Sequence, residues 1–208
     1  MTLRLSFSAV LPWLAALSLA GCATPGPVPQ PKPEPPALLN PMSPALQQQA
    51  PDTFKVLFET TAGDFVVQVV REWAPLGADR FYHMTRLGYF EGVRFFRVVP
   101  GFVVQFGLHP DTAVSRAWRS ASLADDSVRT SNRRGTLTFA TAGPNTRGNQ
   151  YFINLANNAR LDAQGFAPIG EVIGGMDAVD RLHAGYGEMP PRGQGPDQGR
   201  IIREGEPY

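Results

Sequence analysis

Cysteine is nearly absent: Cys22 is the only one in 208 residues, so no disulfide can form within the chain. Lysine is almost as scarce. Only Lys32 and Lys55 occur, the remaining basic residues being arginine, and the formal net charge is just +1. A balance so close to neutral gives no electrostatic basis for a nucleic-acid or polyanion partner. Three histidines, His83, His109 and His183, are scattered without metal-ligand spacing. No Ser-His-Asp arrangement is visible. The loop 143–148 carries two glycines but lacks the lysine that a phosphate loop requires. Nor is there a long apolar run. The longest uncharged one, 5–20, is interrupted by Pro12 and falls short of the about 20 apolar residues of a spanning helix.

What is present begins with that run. It follows Arg4 and ends in Leu19-Ala20-Gly21-Cys22, the pattern of a signal peptide. The ending resembles a bacterial lipobox, in which small residues precede a cysteine whose thiol takes up a diacylglycerol group. Residues 1–21 are therefore expected to be a signal peptide outside the fold, with Cys22 as the lipidated first residue. Ala23 is unlike the acidic inner-membrane retention signal, so the expected location is the cell envelope, on the periplasmic side of an outer membrane. Residues 22–51 are rich in alternating proline, which removes backbone donors and favours extended polyproline II. They read as a linker to a globular domain over 52–208.

Within 52–208 the dominant pattern is β. Two alternating runs, 54–60 and 64–71, flank a Gly-containing turn and predict a hairpin. Pro75 opens a helix in which Phe81, Met84, Leu87 and Phe90 recur at helical spacing. Strands follow at 93–99, 102–106, 135–140, 151–155 and 166–173, with a short helix around Met176 to His183. The stretch 108–134 shows no strong periodicity and reads as loop. These elements predict a mainly β domain, a barrel with two capping helices.

Two motifs make the reading specific. The segment 95–107, FFRVVPGFVVQFG, resembles the cyclophilin signature, and so does 140–153, ATAGPNTRGNQYFI. Residues 73–82 and 165–180 match the family in the same order, so the likeness spans about 54–182. The resemblance implies an eight-stranded antiparallel barrel with a helix at each end, and peptidyl-prolyl cis-trans isomerase activity needing neither metal nor cofactor. It places Arg97 as the catalytic arginine and Gln105 as the glutamine that holds a substrate carbonyl. The proline pocket is expected from Phe102, Val103, Phe152, Leu161 and Phe166. Val103 replaces the family's common methionine and Phe166 its usual histidine, and both changes keep the pocket apolar. Thr141 and Ala142 match positions whose backbone pairs with bound peptide, and Gln150 a second glutamine nearby. Expected partners are Pro-containing segments of exported proteins, and the membrane through the lipid. Arg160 stands where cyclosporin-sensitive cyclophilins carry tryptophan, so weak cyclosporin binding is expected.

Two alternatives stay open beside the enzyme: a module that grips Pro-containing segments with little turnover, and a structural envelope lipoprotein. The intact signature favours the enzyme. The C-terminus poses its own question, because only seven strands precede the last predicted helix. The family's eighth strand follows that helix and closes the barrel, yet 184–208 is rich in Gly and Pro. Either 201–204 (IIRE) closes the sheet, or the closing strand is missing and the first strand keeps an open edge; the composition favours the second.

Overall fold

In the computed structural model the described residues are 4–7 and 35–205. Cys22, and all but four residues of the expected signal peptide, lie outside them. Eight strands form one antiparallel sheet: β1 (Arg4–Phe7), β2 (Thr53–Glu59), β3 (Phe65–Val70), β4 (Arg97–Val99), β5 (Val103–Phe106), β6 (Thr136–Phe139), β7 (Tyr151–Asn154) and β8 (Pro168–Gly174). Their order is β1-β2-β3-β8-β6-β7-β5-β4. The helices are α1 (Pro35–Leu38), α2 (Pro75–Arg86), α3 (Thr112–Ser120), α4 (Met176–Asp180) and α5 (Gln198–Glu204). Among the described residues no helix is long and apolar enough to cross a membrane.

The predicted hairpin is β2–β3. Thr60 makes the turn: its hydroxyl accepts from the Ala62 N–H at 3.1 Å and donates to the Gly63 carbonyl at 2.6 Å. Alternation then sends Phe54, Val56 and Phe58 of β2, and Phe65, Val67 and Val69 of β3, to one face, where all are buried. Helix α2 lays Phe81 and Met84 on that face. Its first residues cannot be capped by Ala74, and the Asp126 carboxylate instead accepts from the N–H groups of Leu76 and Gly77 at 3.1 and 2.9 Å. An aromatic cluster fills the centre, with Tyr151 edge-on to Phe81 at 5.1 Å and Phe106 edge-on to Phe58 at 5.7 Å. Gly107, at φ +113°, lets the chain leave β5 beside the 149–150 backbone, where any Cβ would strike the Asn149 carbonyl.

Three features differ from the sequence reading. The stretch 108–134 contains α3, whose start is capped by Asp111 accepting from Ala113 and Val114 N–H, and which buries Val114 and Trp118. The candidate closing strand 201–204 is instead the end of helix α5. Asp197 caps this helix, Arg200 and Glu204 pair across one turn at 3.1 Å, and Ile202 seats against Phe96 and Leu108. Local capping and a single apolar anchor outweigh the β preference of the Ile pair. No strand therefore follows α4 among the described residues, as the Gly- and Pro-rich composition suggested. The outer edge of β2 is nonetheless covered, because β1 runs antiparallel to it with Arg4 opposite Glu59 and Phe7 opposite Val56. That strand comes from the segment expected to be a signal peptide outside the fold.

Candidate active site

The site lies on the outward face of strands whose inward face is core. On β5, Val104 and Phe106 point into the core while Val103 and Gln105 point out; on β7, Tyr151 and Ile153 point in and Phe152 out. All four residues of each strand are buried, because a second apolar cluster covers the outer face. That cluster is Val103, Phe152 and Leu161, with Phe102, Ala140 and Phe166 packed against it. Phe152 and Phe166 meet edge to face, ring centres 5.7 Å apart.

Register sets the polar side. Arg97 of β4 is opposite Gln105 of β5, which is opposite Phe152 of β7. The three side chains thus form a row across the sheet at the margin of the apolar cluster. Arg97 Nη1 donates to Gln105 Oε1 at 3.1 Å, and Gln105 Nε2 donates to Gln150 Oε1 at 2.7 Å. The Arg97 guanidinium also lies over the Phe102 ring, 5.6 Å from its centre. These groups line a cleft of about 390 Å³ that includes Arg97, Phe102, Val103, Gln105, Thr141, Phe152, Leu161 and Phe166. Ala142 and Gln150 face an adjoining cleft of about 260 Å³, which Thr141 and Gln105 also border. The Thr141 hydroxyl bonds the Gly143 carbonyl, and Ala142 N–H donates to Thr146 Oγ1 at 2.9 Å. Every residue read from the two motifs therefore borders one of two contiguous clefts.

Sequence reasoning missed the residues that hold the walls and those that close the rim. Buried Asn132 donates to the Asp162 carboxylate and to the Phe166 carbonyl, both at 2.8 Å, and accepts from Thr138 at 3.0 Å. Asn158 donates to the Phe102 carbonyl at 2.9 Å and to Asn154 Oδ1 at 2.8 Å. Burial pushes the Asp162 carboxyl up, but hydrogen bonds from Ser131 and Asn132 outweigh it and hold the group below its ordinary range. The loops bearing Phe102, Leu161 and Phe166 are fixed by this network. At the rim, the Glu188 carboxylate accepts twice from Arg97, from Nε at 2.5 Å and from Nη2 at 2.6 Å. Met189, Pro190, Pro191, Arg192 and Gln198 complete the lining. Residues 188–198 carry no apolar periodicity, and nothing in the sequence signals that they fold back over β4.

Comparison with known proteins agrees with this geometry. Residues 55–203 match the family described as cyclophilin type peptidyl-prolyl cis-trans isomerase/CLD. A peptidyl-prolyl cis-trans isomerase of Acinetobacter baylyi is 33% identical over 132 residues, covering 61% of this chain and 70% of that protein. The Arabidopsis thaliana isomerase CYP18-2 is 35% identical over 133 residues, 62% of this chain and 79% of its own. Among solved structures, a Cryptosporidium parvum cyclophilin type isomerase superposes with a TM-score of 0.54 at 22% identity, over 64% of this chain and 85% of that one. A second structure of that protein was determined in the presence of the dipeptide Ala-Pro. A sheet of this topology, bearing an arginine and a glutamine beside an apolar cleft and matching the family over 55–203, makes this chain a member of the cyclophilin-type peptidyl-prolyl cis-trans isomerases.

Proposed function

We propose that this isomerase turns over X-Pro bonds of exported proteins, with Arg97 stabilising the twisted amide. An X-Pro bond resists rotation by about 18–20 kcal/mol because the nitrogen lone pair is delocalised into the carbonyl. Twisting localises that pair on nitrogen. A fixed N–H donor beside the nitrogen then stabilises the twisted state more than either planar state, which is the condition for catalysis. No covalent bond is made or broken.

The observation that carries this reading is the placement of Arg97 and Gln105 along one side of a cleft walled by Phe102, Val103, Phe152, Leu161 and Phe166. In it, Val103, Phe152, Leu161 and Phe166 hold the proline ring. Gln105 fixes Arg97 from one side and holds the carbonyl of the bond being turned. Thr141 and Ala142 offer backbone groups to the flanking peptide, and Gln150 backs Gln105. The export assignment is supported by the uncharged run 5–20 and the unique Cys22 after small residues.

The test is a protease-coupled assay on a short Xaa-Pro peptide. Arg97→Ala is expected to lower kcat/KM by about 10²-fold or more, roughly 2.7 kcal/mol of transition-state stabilisation. Arg97→Lys keeps the charge but not the planar fork, and is expected to fall between the two. A rate unchanged in Arg97→Ala removes Arg97 from the mechanism.

A further inference from the structure

Arg97 is not free in this structure. Its Nε and Nη2 both donate to the Glu188 carboxylate and its Nη1 to Gln105, so three of five N–H groups are engaged. The two charges are mostly shielded from water, with side-chain exposures of 11% for Arg97 and 21% for Glu188. A carboxylate in contact with a guanidinium turns a positive charge into a dipole. The potential it offers at a nearby amide nitrogen falls accordingly, and its N–H groups become poorer donors to anything else.

Glu188 reaches Arg97 on a loop built to present it. Leu182 at one end and Ile202 at the other are buried, whereas between them the chain is exposed or half-buried apart from Gly195. The loop is closed on itself: Gly195 N–H donates to the Glu188 carbonyl at 2.8 Å, and Arg192 N–H to the Met189 carbonyl at 3.0 Å. Met189 N–H donates to Glu188 Oε1 at 2.8 Å, orienting the carboxylate. Pro190 and Pro191 sit on the outer rim, exposed, and leave the apolar pocket open. The obstruction is therefore one of charge at Arg97, not of volume in the pocket. Its apolar contacts are few, Ala184 against the main core and Met189 and Ile201 against the small Phe96, Leu108 and Ile202 cluster, and the loop pairs with no strand of the sheet, so it can open at low cost to the fold.

We propose that the loop between Leu182 and Ile202 is an internal restraint on the isomerase, with Glu188 as the counter-ion that must leave Arg97 before a prolyl bond is turned over. The proposal rests on Arg97 being the catalytic cation. Glu188 is charged at neutral pH, since the hydrogen bonds from Arg97 hold its carboxyl below the ordinary range, and Arg97 and Arg192 are the cations that face it. The restraint is thus engaged under the conditions in which the enzyme is assayed.

The test uses the whole chain and the isosteric Glu188→Gln variant. Its kcat/KM on an Ala-Pro-containing tetrapeptide is expected to rise about fivefold or more over wild type. Introduced into Arg97→Ala, the same change is expected to do nothing. In the wild type, saturating tetrapeptide is expected to move the NMR signal of the Met189 methyl, reporting displacement of the loop. An unchanged or lower rate in Glu188→Gln, or a Met189 signal unmoved by peptide, overturns the restraint. If Arg97→Ala by itself leaves the rate unchanged, it is the catalytic assignment that fails, a different result from either.

Discussion

Two guanidinium groups lie over the Phe102 ring. Arg97 is 5.6 Å from its centre and Arg160 is 4.7 Å away. By the family resemblance, Arg160 stands where cyclosporin-sensitive cyclophilins carry tryptophan, and an arginine there supplies neither an indole donor nor its apolar face. Weak inhibition by cyclosporin is expected, and Arg160→Trp is expected to tighten it about tenfold or more, near 1.4 kcal/mol; an inhibition titration on both proteins checks this. Glu188 gives a pH prediction. Its carboxyl is held low in the closed site, so the Arg97 contact is fully present above the ordinary carboxylate pKa of about 4.3 and is lost only as pH falls through the lowered value. The kcat/KM of wild type is therefore expected to show no Glu188 titration between about pH 6 and 8, and a step there in wild type that is absent in Glu188→Gln would contradict it. Most of the pocket is legible in the sequence because two motifs, 95–107 and 140–153, carry Arg97, Phe102, Val103, Gln105 and Phe152, while Leu161 and Phe166 follow from their place after the second motif. Glu188 is not, because its contact spans 91 positions from a segment without pattern.

Element by element, strands were easier to read than short helices. Alternation marks β2 and β3 plainly, since each buries every second side chain on one face. Helix α3 went unread: nine residues show little more than Val114 and Trp118 one turn apart. Its weight in the fold is larger than its length suggests. Trp118 is fully buried, donates from Nε1 to the Leu38 carbonyl at 2.7 Å and lies under the Arg80 guanidinium at 5.3 Å. Trp118→Ala is expected to cost about 3–5 kcal/mol, read as a loss in denaturant midpoint at unchanged slope. Asn132 is a comparable case among the connecting segments. Removing its side chain leaves the buried Thr138 hydroxyl without its acceptor and takes one donor each from the half-buried Asp162 carboxylate and the Phe166 carbonyl, so Asn132→Ala is expected to cost about 1–3 kcal/mol and to raise KM more than it lowers kcat. An equal loss in both kinetic terms would show that the pocket wall does not depend on it.

At the scale of the whole molecule, the fold has one dependency that the sequence reading raised and the structure sharpens. With no strand after α4 among the described residues, β2 has its outer partner in Arg4–Phe7. The proposed cleavage before Cys22 would take that strand away and leave the N–H and C=O groups along one side of β2 unpaired, an edge open to another chain. Hydrogen exchange measured on the full chain and on a chain beginning at Cys22 is expected to show the alternate β2 amides that face β1 protected in the first and exchanging in the second; equal protection in a monomer would mean another segment covers the edge. The proposed lipid anchor is checked by fractionation: wild type is expected with the membrane and Cys22→Ser away from it, and identical fractionation of the two would contradict lipidation at Cys22. Beyond both stands the claim that Arg97 acts on the twisted bond and not merely on binding. Exchange NMR on wild type and Arg97→Ala, each saturated with an Xaa-Pro tetrapeptide, measures interconversion of bound cis and trans forms directly. Arg97→Ala is expected to slow that interconversion about 10²-fold while changing Kd by less than about threefold. A Kd weakened by the full factor, with interconversion of the bound peptide as fast as in wild type, would contradict it.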